Sequence, residues 1–298
     1  MSTFTLTILG ARGSMAVSGQ ERAQFGGATS CYMVQAGEQT VFLDGGSGLI
    51  DAPSEFASTP AILLSHLHLD HILGLGMYAR LSKKGLRTDL YVPAEEGEDA
   101  SSALDRVYSP PYWPLRLGEY AGDVRIFPFS SSMRIGDVLV ETMPGAHPGG
   151  CLAIKLTFEG KSLVYATDQE PDGETLGRLA DLAKDADLLM FDGQFTDAEA
   201  EMKKGFGHSA PSEAIALMER CGAKRLLLIH HDPLRTDAQI LAAEQAQSSL
   251  KRRLWQPAGL RACPDLLPWK SSNVFRSFRS IHSGTGADPM CFFNLPAR

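Results

Sequence analysis

Cysteines, histidines and long apolar runs are scarce in this sequence, and each scarcity excludes a class of protein. The five cysteines are widely spread and form no CxxC pair, which argues against a disulfide framework and against a cysteine zinc site. The chain does not open with a basic start followed by a long apolar stretch, and no later run is as long as a membrane span. We therefore expect a cytoplasmic protein with no signal peptide and no membrane partner.

Basic residues are also in deficit. The 28 Lys and Arg residues stand against 35 Asp and Glu residues, so the formal net charge is −7. A net negative charge gives no general attraction to nucleic acid, and we expect no nucleic-acid partner. An anionic small-molecule substrate would need a local positive feature, and bound metal ions are one such feature.

Secondary-structure patterns run from the start of the chain to about residue 262 without a linker or an internal repeat. Apolar segments predict strands at 3–9, 30–37, 39–46, 61–65, 88–93, 123–129, 134–145, 151–160, 161–168, 186–193 and 224–231. Helical spacing predicts helices at 71–84, 97–107, 175–184, 211–222 and 237–254, with Ser209 as a candidate cap of the fourth. Residues 1–262 are therefore interpreted as one domain of mixed α and β structure.

Residues 263–298 are interpreted as a C-terminal tail of unknown role. The wider segment 251–298 contains eight Lys and Arg residues against two Asp residues and shows little periodicity. The simplest interpretation is a segment that lies over the surface. A contact between the subunits of a homodimer is the main alternative, and nucleic-acid binding is a third.

Seven of the eight histidines lie in four short motifs: HLHLDH, GAHPGG, GFGHSA and LLLIHHDP. The first motif, at 66–71, directly follows an apolar strand candidate. Imidazole nitrogens and a carboxylate oxygen are ligands that suit Zn, Mn or Fe. In an extended stretch His66 and His68 point to the same side and can bind one ion. Asp70 and His71 are displaced toward a second ion.

The HxHxDH pattern resembles the signature of the metallo-β-lactamase superfamily, and the order of the later motifs is similar over about residues 3–235. The resemblance implies a four-layer αββα sandwich with two divalent metal ions at one edge of its sheets, Zn being favoured and Mn or Fe being alternatives. It also implies the ligands: His66, His68 and His147 for the first ion, Asp70, His71 and His230 for the second, and Asp168 between the two.

Two positions near this set leave alternatives open. His231 could replace His230, because neighbouring residues on a strand face opposite ways. Asp44, in LDGGSG, matches an aspartate of the family that orients a ligand histidine. The alternative for Asp44 is a turn cap before two glycines.

The implied chemistry is hydrolysis by a hydroxide that bridges the two ions, since two ions sharing one oxygen lower the pKa of water toward ~7. Within the superfamily, LGARGS, GHS and SPPYWP are similar to motifs of the branch that contains ribonuclease Z and the cyclic-phosphate phosphodiesterases of phosphonate metabolism. The resemblance implies catalytic roles for His208, which would assist the leaving group, and for Asp70. It also implies that residues 109–114 are an insertion that lines the pocket. The alternatives are a loop histidine at 208 and a rigid connector at 109–114.

Two departures from that branch limit the comparison. Ribonuclease Z commonly carries a tRNA-gripping arm between the ligands that match His147 and Asp168, where this chain has only twenty residues. The phosphonate-pathway enzymes carry a cysteine-rich metal site, and this chain has no cysteine cluster. We therefore expect a phosphodiesterase for small, including cyclic, phosphodiesters. The alternatives are a hydrolase of lactones, β-lactams or other carboxylic esters and a metal-binding sensory module without turnover.

Overall fold

A computed structural model describes residues 3–93 and 99–243, together with the backbone of 291–294. The strands are β1 (Phe4–Gly10), β2 (Cys31–Ala36), β3 (Gln39–Leu43), β4 (Ala61–Leu63), β5 (Arg87–Val92), β6 (Asp123–Pro128), β7 (Ser132–Ile135), β8 (Val138–Pro144), β9 (Leu152–Phe158), β10 (Lys161–Ala166), β11 (Leu188–Asp192), β12 (Leu226–Ile229) and β13 (Cys291–Asn294). The α-helices are α1 (Leu69–Ile72), α2 (Ala100–Asp105), α3 (Gly173–Leu182), α4 (Asp197–Met202) and α5 (Pro211–Cys221), and residues 237–243 are also helical. Among the described helices, none has the length and apolar character needed to cross a membrane.

The strands form two mixed sheets. The first has the order β13-β1-β2-β3-β4-β5-β6, and the second has the order β12-β11-β10-β9-β8-β7. Strands β3 to β6 are parallel to one another, and so are β10 to β12, whereas the remaining pairs are antiparallel. Loops that leave the carboxyl ends of neighbouring parallel strands emerge at the same edge of a sheet, which is where α/β proteins usually bind ligands.

The core lies between the two sheets. Side chains from both inner faces are buried there, among them Leu6, Val34, Val41, Val140, Ile154, Leu156 and Leu163. A second apolar cluster packs α1 and α2 against the outer face of the first sheet, and a third packs α3 and α5 against the second sheet. The layers are therefore helix, sheet, sheet and helix, which confirms the predicted αββα sandwich.

The predicted helix at 71–84 is wrong. Helix α1 ends at Ile72, and short 3-10 helices follow at Leu75–Met77 and Ala79–Ser82. The cause is Gly74, where a Cβ atom would lie 2.1 Å from the carbonyl oxygen of Gly46. The N–H of Gly74 also donates to the carbonyl oxygen of Gly45 at 2.9 Å. The chain therefore follows the loop after β3 at this point instead of continuing the helix.

Two other local predictions also need correction. The segment 134–145, predicted as one strand, forms the end of β7 and all of β8, with a turn at Gly136 (φ 56°) between them. Ser209 does not cap α5: its hydroxyl donates to the carbonyl oxygen of Gln169. The cap position is Ala210, whose N–H donates to the Glu213 carboxylate at 2.8 Å.

The C-terminal part of the chain is described only in part. Most of the predicted helix at 237–254 lies outside the described residues, as does most of the segment 263–298. Within that segment, β13 pairs antiparallel with β1 at the edge of the first sheet. The division of the chain at residue 262 stays a prediction.

Candidate metal centre

The candidate site residues lie at or just after strand ends at one edge of the sandwich. Asp44 follows β3, His66 follows β4, Asp168 follows β10, Asp192 ends β11 and His230 follows β12. Parallel pairing aligns the carboxyl ends within each sheet, so residues far apart in sequence meet at this edge. Side chains from both sheets therefore face one another across a single site.

The first group at this edge consists of His66, His68, His147 and Asp168. One ligand atom from each of these side chains lies within 4.8 Å of the others. Oδ2 of Asp168 is 3.6 Å from Nε2 of His66 and 3.6 Å from Nε2 of His147. The structure thus brings together the three histidines that the sequence assigns to the first ion.

The second group consists of Asp70, His71 and His230, again with ligand atoms within 4.8 Å of one another. Nε2 of His230 is 3.0 Å from Oδ2 of Asp70. The other oxygen of Asp168, Oδ1, is 3.3 Å from Nε2 of His71 and 3.2 Å from Nε2 of His230. Asp168 therefore presents one carboxylate oxygen to each group, as a bridging ligand would.

The nitrogen contacts test whether these residues fit metal ions. Nε2 of His71 lies 3.2 Å from Nε2 of His230, and Nε2 of His147 lies 3.1 Å from Nδ1 of His68. Within the described part of the chain, the buried Nε2 of His66 has no hydrogen-bond partner. Converging nitrogen lone pairs repel one another unless a cation lies among them, so the donor set fits divalent metal ions.

Burial and mutual charge set the ionisation of the site. Burial opposes ionisation of Asp168, but the charges of His230 and His71 outweigh it and hold the pKa of Asp168 well below its usual range. Burial is also the main cause that lowers the pKa of His66, of His68 and of His147. Metal ligands must be ionised carboxylates or neutral imidazoles, and these shifts favour those forms in Asp168, His66, His68 and His147. In His71 and His230 burial lowers the pKa, but the charge of Asp168 outweighs it and raises the pKa of both.

Asp44 orients one of the histidines. Its Oδ2 accepts hydrogen bonds from Nδ1 of His71 at 2.6 Å, from the Tyr165 hydroxyl at 2.6 Å and from the Ser65 hydroxyl at 2.7 Å. Its Oδ1 accepts from the N–H of Ser65 at 2.6 Å. A carboxylate can only accept, so Nδ1 of His71 carries the proton and Nε2 is left for a metal. These contacts favour the orienting role of Asp44 over the turn cap.

His230, not His231, belongs to the cluster. His231 packs its ring against Phe25, with the ring centroids 6.1 Å apart. Burial, together with the nearby charge of Arg12, lowers the pKa of His231 to about 3. The two neighbours point in different directions, as adjacent residues at a strand end do.

His208 lies beside the cluster and has a carboxylate partner that the sequence analysis missed. Its Nδ1 donates to Oδ2 of Asp192 at 2.8 Å, and its ring stacks on that of His230 at 5.0 Å. Asp192 ends an apolar strand, LLMFD, just as Asp168 closely follows another. That shared position was the signal available in the sequence.

Close backbone approaches hold the loops of the site together. A Cβ atom at Gly207 would lie 2.2 Å from Nδ1 of His147, and a Cβ atom at Gly13 would lie 2.4 Å from the His230 ring. Next to Gly13, the N–H of Ser14 donates to Oδ2 of Asp70 at 2.6 Å. The glycines of the LGARGS and GFGHSA motifs therefore have a steric role at the site.

Four residues of the site have left-handed backbone conformations: Ser14, Asp44, Asp168 and His230, with φ between 51° and 61°. Such conformations cost about 1–3 kcal/mol for a residue other than glycine and cluster at functional sites. The strain supports a site whose geometry is fixed by the surrounding fold.

The proline segment SPPYWP does not contribute to this cluster. Nε1 of Trp113 donates to the Tyr120 hydroxyl at 2.8 Å, which in turn donates to the carbonyl oxygen of Gly76 at 2.7 Å. Trp113 thus supports the outer side of the segment that follows α1, while Tyr112 is exposed. These contacts favour a rigid connector over a wall of the site.

We predict that Asp44→Asn weakens metal binding. Asparagine carries no charge and would turn an N–H₂ group toward donors, so His71 would lose its fixed tautomer. Loss of such an outer partner typically lowers metal affinity by about 10–100-fold. Competition with a chromogenic chelator measures the change, with the exposed Asp51→Asn as the matched control. Equal affinities in the wild type and both variants would contradict the orienting role.

Comparisons with known proteins agree with this fold. The family described as "Beta-lactamase superfamily domain" matches residues 49–231. A ribonuclease Z of Ignicoccus hospitalis is 26% identical over 240 residues, which cover 66% of this chain and 77% of that protein.

Two solved structures show the same fold. The metallo-β-lactamase fold protein YhfI of Bacillus subtilis has a TM-score of 0.62 and 20% identity, and the match covers 83% of this chain and 93% of that one. A diphosphatase of the PhnP family has a TM-score of 0.59 and 19% identity, and the match covers 87% and 94%. The family match extends over more than half of the sequence, and the chain belongs to the β-lactamase superfamily as a hydrolase of the metallo-β-lactamase fold.

Proposed function

We propose that this hydrolase is a phosphodiesterase that uses two divalent metal ions to cleave small phosphodiesters, including cyclic ones. The observation that carries the proposal is the position of Asp168, whose two carboxylate oxygens face two separate groups of histidines. Zn is the favoured metal, with Mn and Fe as alternatives, because the ligands are imidazoles and carboxylates.

In this proposal each ion has three ligands of its own and shares one carboxylate with the other. His66, His68 and His147 would hold the first ion, Asp70, His71 and His230 the second, and Asp168 both. Bound there, the ions would lower the pKa of a water molecule to about 7 and neutralise charge on the phosphoryl oxygens. Asp70 is also the candidate to orient the attacking water, because its carboxylate is fixed by the N–H of Ser14.

His208 is the proposed proton donor for the leaving group. Its Nδ1 is committed to Asp192, so Nε2 is the nitrogen that can deliver a proton. The Asp192 carboxylate accepts from Nδ1 and fixes the orientation of the ring, as the aspartate does in a catalytic triad. Expulsion of an alkoxide from phosphorus is slow without such a donor, which typically contributes ~10²–10⁴-fold.

Two observations support a small phosphodiester over the other ester classes and over tRNA. Similar proteins include a ribonuclease Z and a PhnP-family diphosphatase, and both names describe cleavage of bonds to phosphorus. The residues between His147 and Asp168 form β9 and β10 joined by a tight turn at Glu159 and Gly160. This short connection leaves no room for a tRNA-gripping arm between the two ligands. The net charge of −7 also disfavours a nucleic-acid substrate, since Lys and Arg contacts to phosphates dominate nucleic-acid affinity. Both features favour a small substrate.

A substrate panel tests the proposal. Protein reconstituted with Zn or Mn is assayed on bis-p-nitrophenyl phosphate, a 2′,3′-cyclic nucleotide, nitrocefin, a homoserine lactone and a precursor tRNA. We expect kcat/KM for the phosphodiesters to exceed that for the lactam and the lactone by about tenfold or more, which corresponds to about 1.4 kcal/mol. A preference for the lactone, the lactam or the tRNA would overturn the proposal.

We predict that His208→Ala separates two kinds of phosphodiester. The variant should keep its metals and lose ~10²–10⁴-fold in kcat on an alkyl phosphodiester, because the alkoxide needs a proton. Its kcat on a p-nitrophenyl phosphodiester should fall little, because p-nitrophenolate is a weak base and leaves without a proton. Asp192→Asn, which keeps the ring but removes the charge beside it, should show the same pattern to a smaller extent.

Metal analysis of both variants is the control for this experiment. Equal losses on the two substrates would assign His208 to binding of the phosphate. No loss on either substrate would contradict a catalytic role.

A further inference from the structure

A cavity of about 280 Å³ lies directly beside the metal-binding cluster. Its walls include Ser14, Met15, Ala16, Leu69, Asp70 and Leu73. Asp70 is a member of both the cavity wall and the second ligand group. A substrate whose reacting group lies at the cluster would therefore have one substituent next to this cavity.

The cavity walls are mainly apolar side chains that remain accessible. Met15, Leu69 and Leu73 are 67%, 57% and 44% exposed. Large apolar side chains that are grouped and exposed, as distinct from scattered ones, usually mark a binding surface. Here they adjoin a cluster of charged and polar groups, a combination typical of a small-molecule site.

The wall of this cavity is held in place by the cluster itself. The N–H of Ser14 donates to Oδ2 of Asp70 at 2.6 Å, and Ser14 adopts a left-handed backbone conformation with φ 58°. Leu69 and Leu73 flank Asp70 and His71 at α1 and its C-cap. Two of the apolar walls therefore belong to the segment that carries Asp70 and His71, and the Ser14 contact ties the Met15 wall to the same segment.

We propose that this cavity binds an apolar alkyl or aryl substituent of the ester substrate. This inference rests on the proposed function, since it assigns the substrate class of the same site. Cavities of about 150 Å³ lined by apolar side chains bind benzene, so a space of about 280 Å³ has room for a substituent of six carbon atoms or more. The enzyme would then prefer phosphodiesters with one apolar ester group over fully polar ones.

A homologous substrate series tests the proposal. The series consists of methyl, butyl and hexyl p-nitrophenyl phosphates, which share one leaving group and differ only in the retained substituent. We expect kcat/KM of the metal-loaded wild type to rise along the series by up to roughly fourfold for each methylene group buried. Calorimetry with methylphosphonate and hexylphosphonate should show the same preference in binding alone.

The variants replace apolar walls with polar side chains of similar size. Met15→Gln combined with Leu73→Gln should reduce the ratio of kcat/KM for the hexyl ester to kcat/KM for the methyl ester toward one, because a polar wall gains nothing from burying methylenes. Leu234→Gln is the matched control, since Leu234 is 76% exposed and lies outside the cavity walls. It should retain the full chain-length dependence.

A second substrate series distinguishes failure of the cavity assignment from failure of the phosphodiesterase proposal. A series of p-nitrophenyl carboxylic esters, from acetate to hexanoate, is run in parallel. If only these esters are hydrolysed and their rates rise with chain length in a manner lost in the double variant, the cavity assignment stands and the phosphodiesterase proposal fails. If phosphodiesters are hydrolysed with no chain-length dependence, the cavity assignment fails and the proposed function stands.

The oligomeric state provides a further check. A wild-type dimer that becomes a monomer in the double variant, with an unchanged preference along the substrate series, would assign the exposed apolar residues to a subunit contact. That result would overturn the proposed substrate pocket.

Discussion

The buried carboxylate of Asp168 is the constraint on which the rest of the site depends. Removing an ionised carboxylate from water costs several kcal/mol unless positive charge compensates it. Here the compensating charge comes mainly from His71 and His230, whose Nε2 atoms lie 3.3 Å and 3.2 Å from Oδ1. On the other side, Nε2 of His66 and Nε2 of His147 each lie 3.6 Å from Oδ2. Converging imidazole nitrogens favour a cation between them, so one buried charge organises two groups of candidate metal ligands.

The fold provides the means to bring these groups together. Parallel strands in both sheets end at one edge, and the ligands lie in the loops that follow. Glycines at 13 and 207 let those loops approach each other closely enough for His230 and His147 to reach the cluster. Asp44 and Asp192 then fix two rings, those of His71 and His208, by hydrogen bonds to Nδ1.

Much of this site could be predicted because its signals are local in sequence. The motif at 66–71 places four candidate ligands within six residues, and the order of the later motifs is similar to that of a known family. The sandwich followed from that resemblance and is confirmed by the two sheets and their helices. The composition alone indicated only mixed α and β structure.

The features of the fold and the site that the sequence did not predict depend on contacts between distant segments. Asp192 meets His208 only after β11 and the loop before α5 are packed together, and no motif joins them. Helix α1 ends early, and the predicted helix at 71–84 does not form, because Gly74 approaches the loop after β3. Likewise, the contact between Ser14 and Asp70 joins residues 56 positions apart. Periodicity cannot reveal contacts of this kind.

The central claim is that the histidines on the two sides of Asp168 hold two divalent ions. Elemental analysis of protein purified without chelator, and again after reconstitution with Zn or Mn, measures the metal content per chain directly. We predict two ions per chain in the wild type and fewer in Asp168→Ala, which removes the carboxylate shared by both groups. A wild type that holds no transition metal even after reconstitution, or the same content in both proteins, would contradict the account.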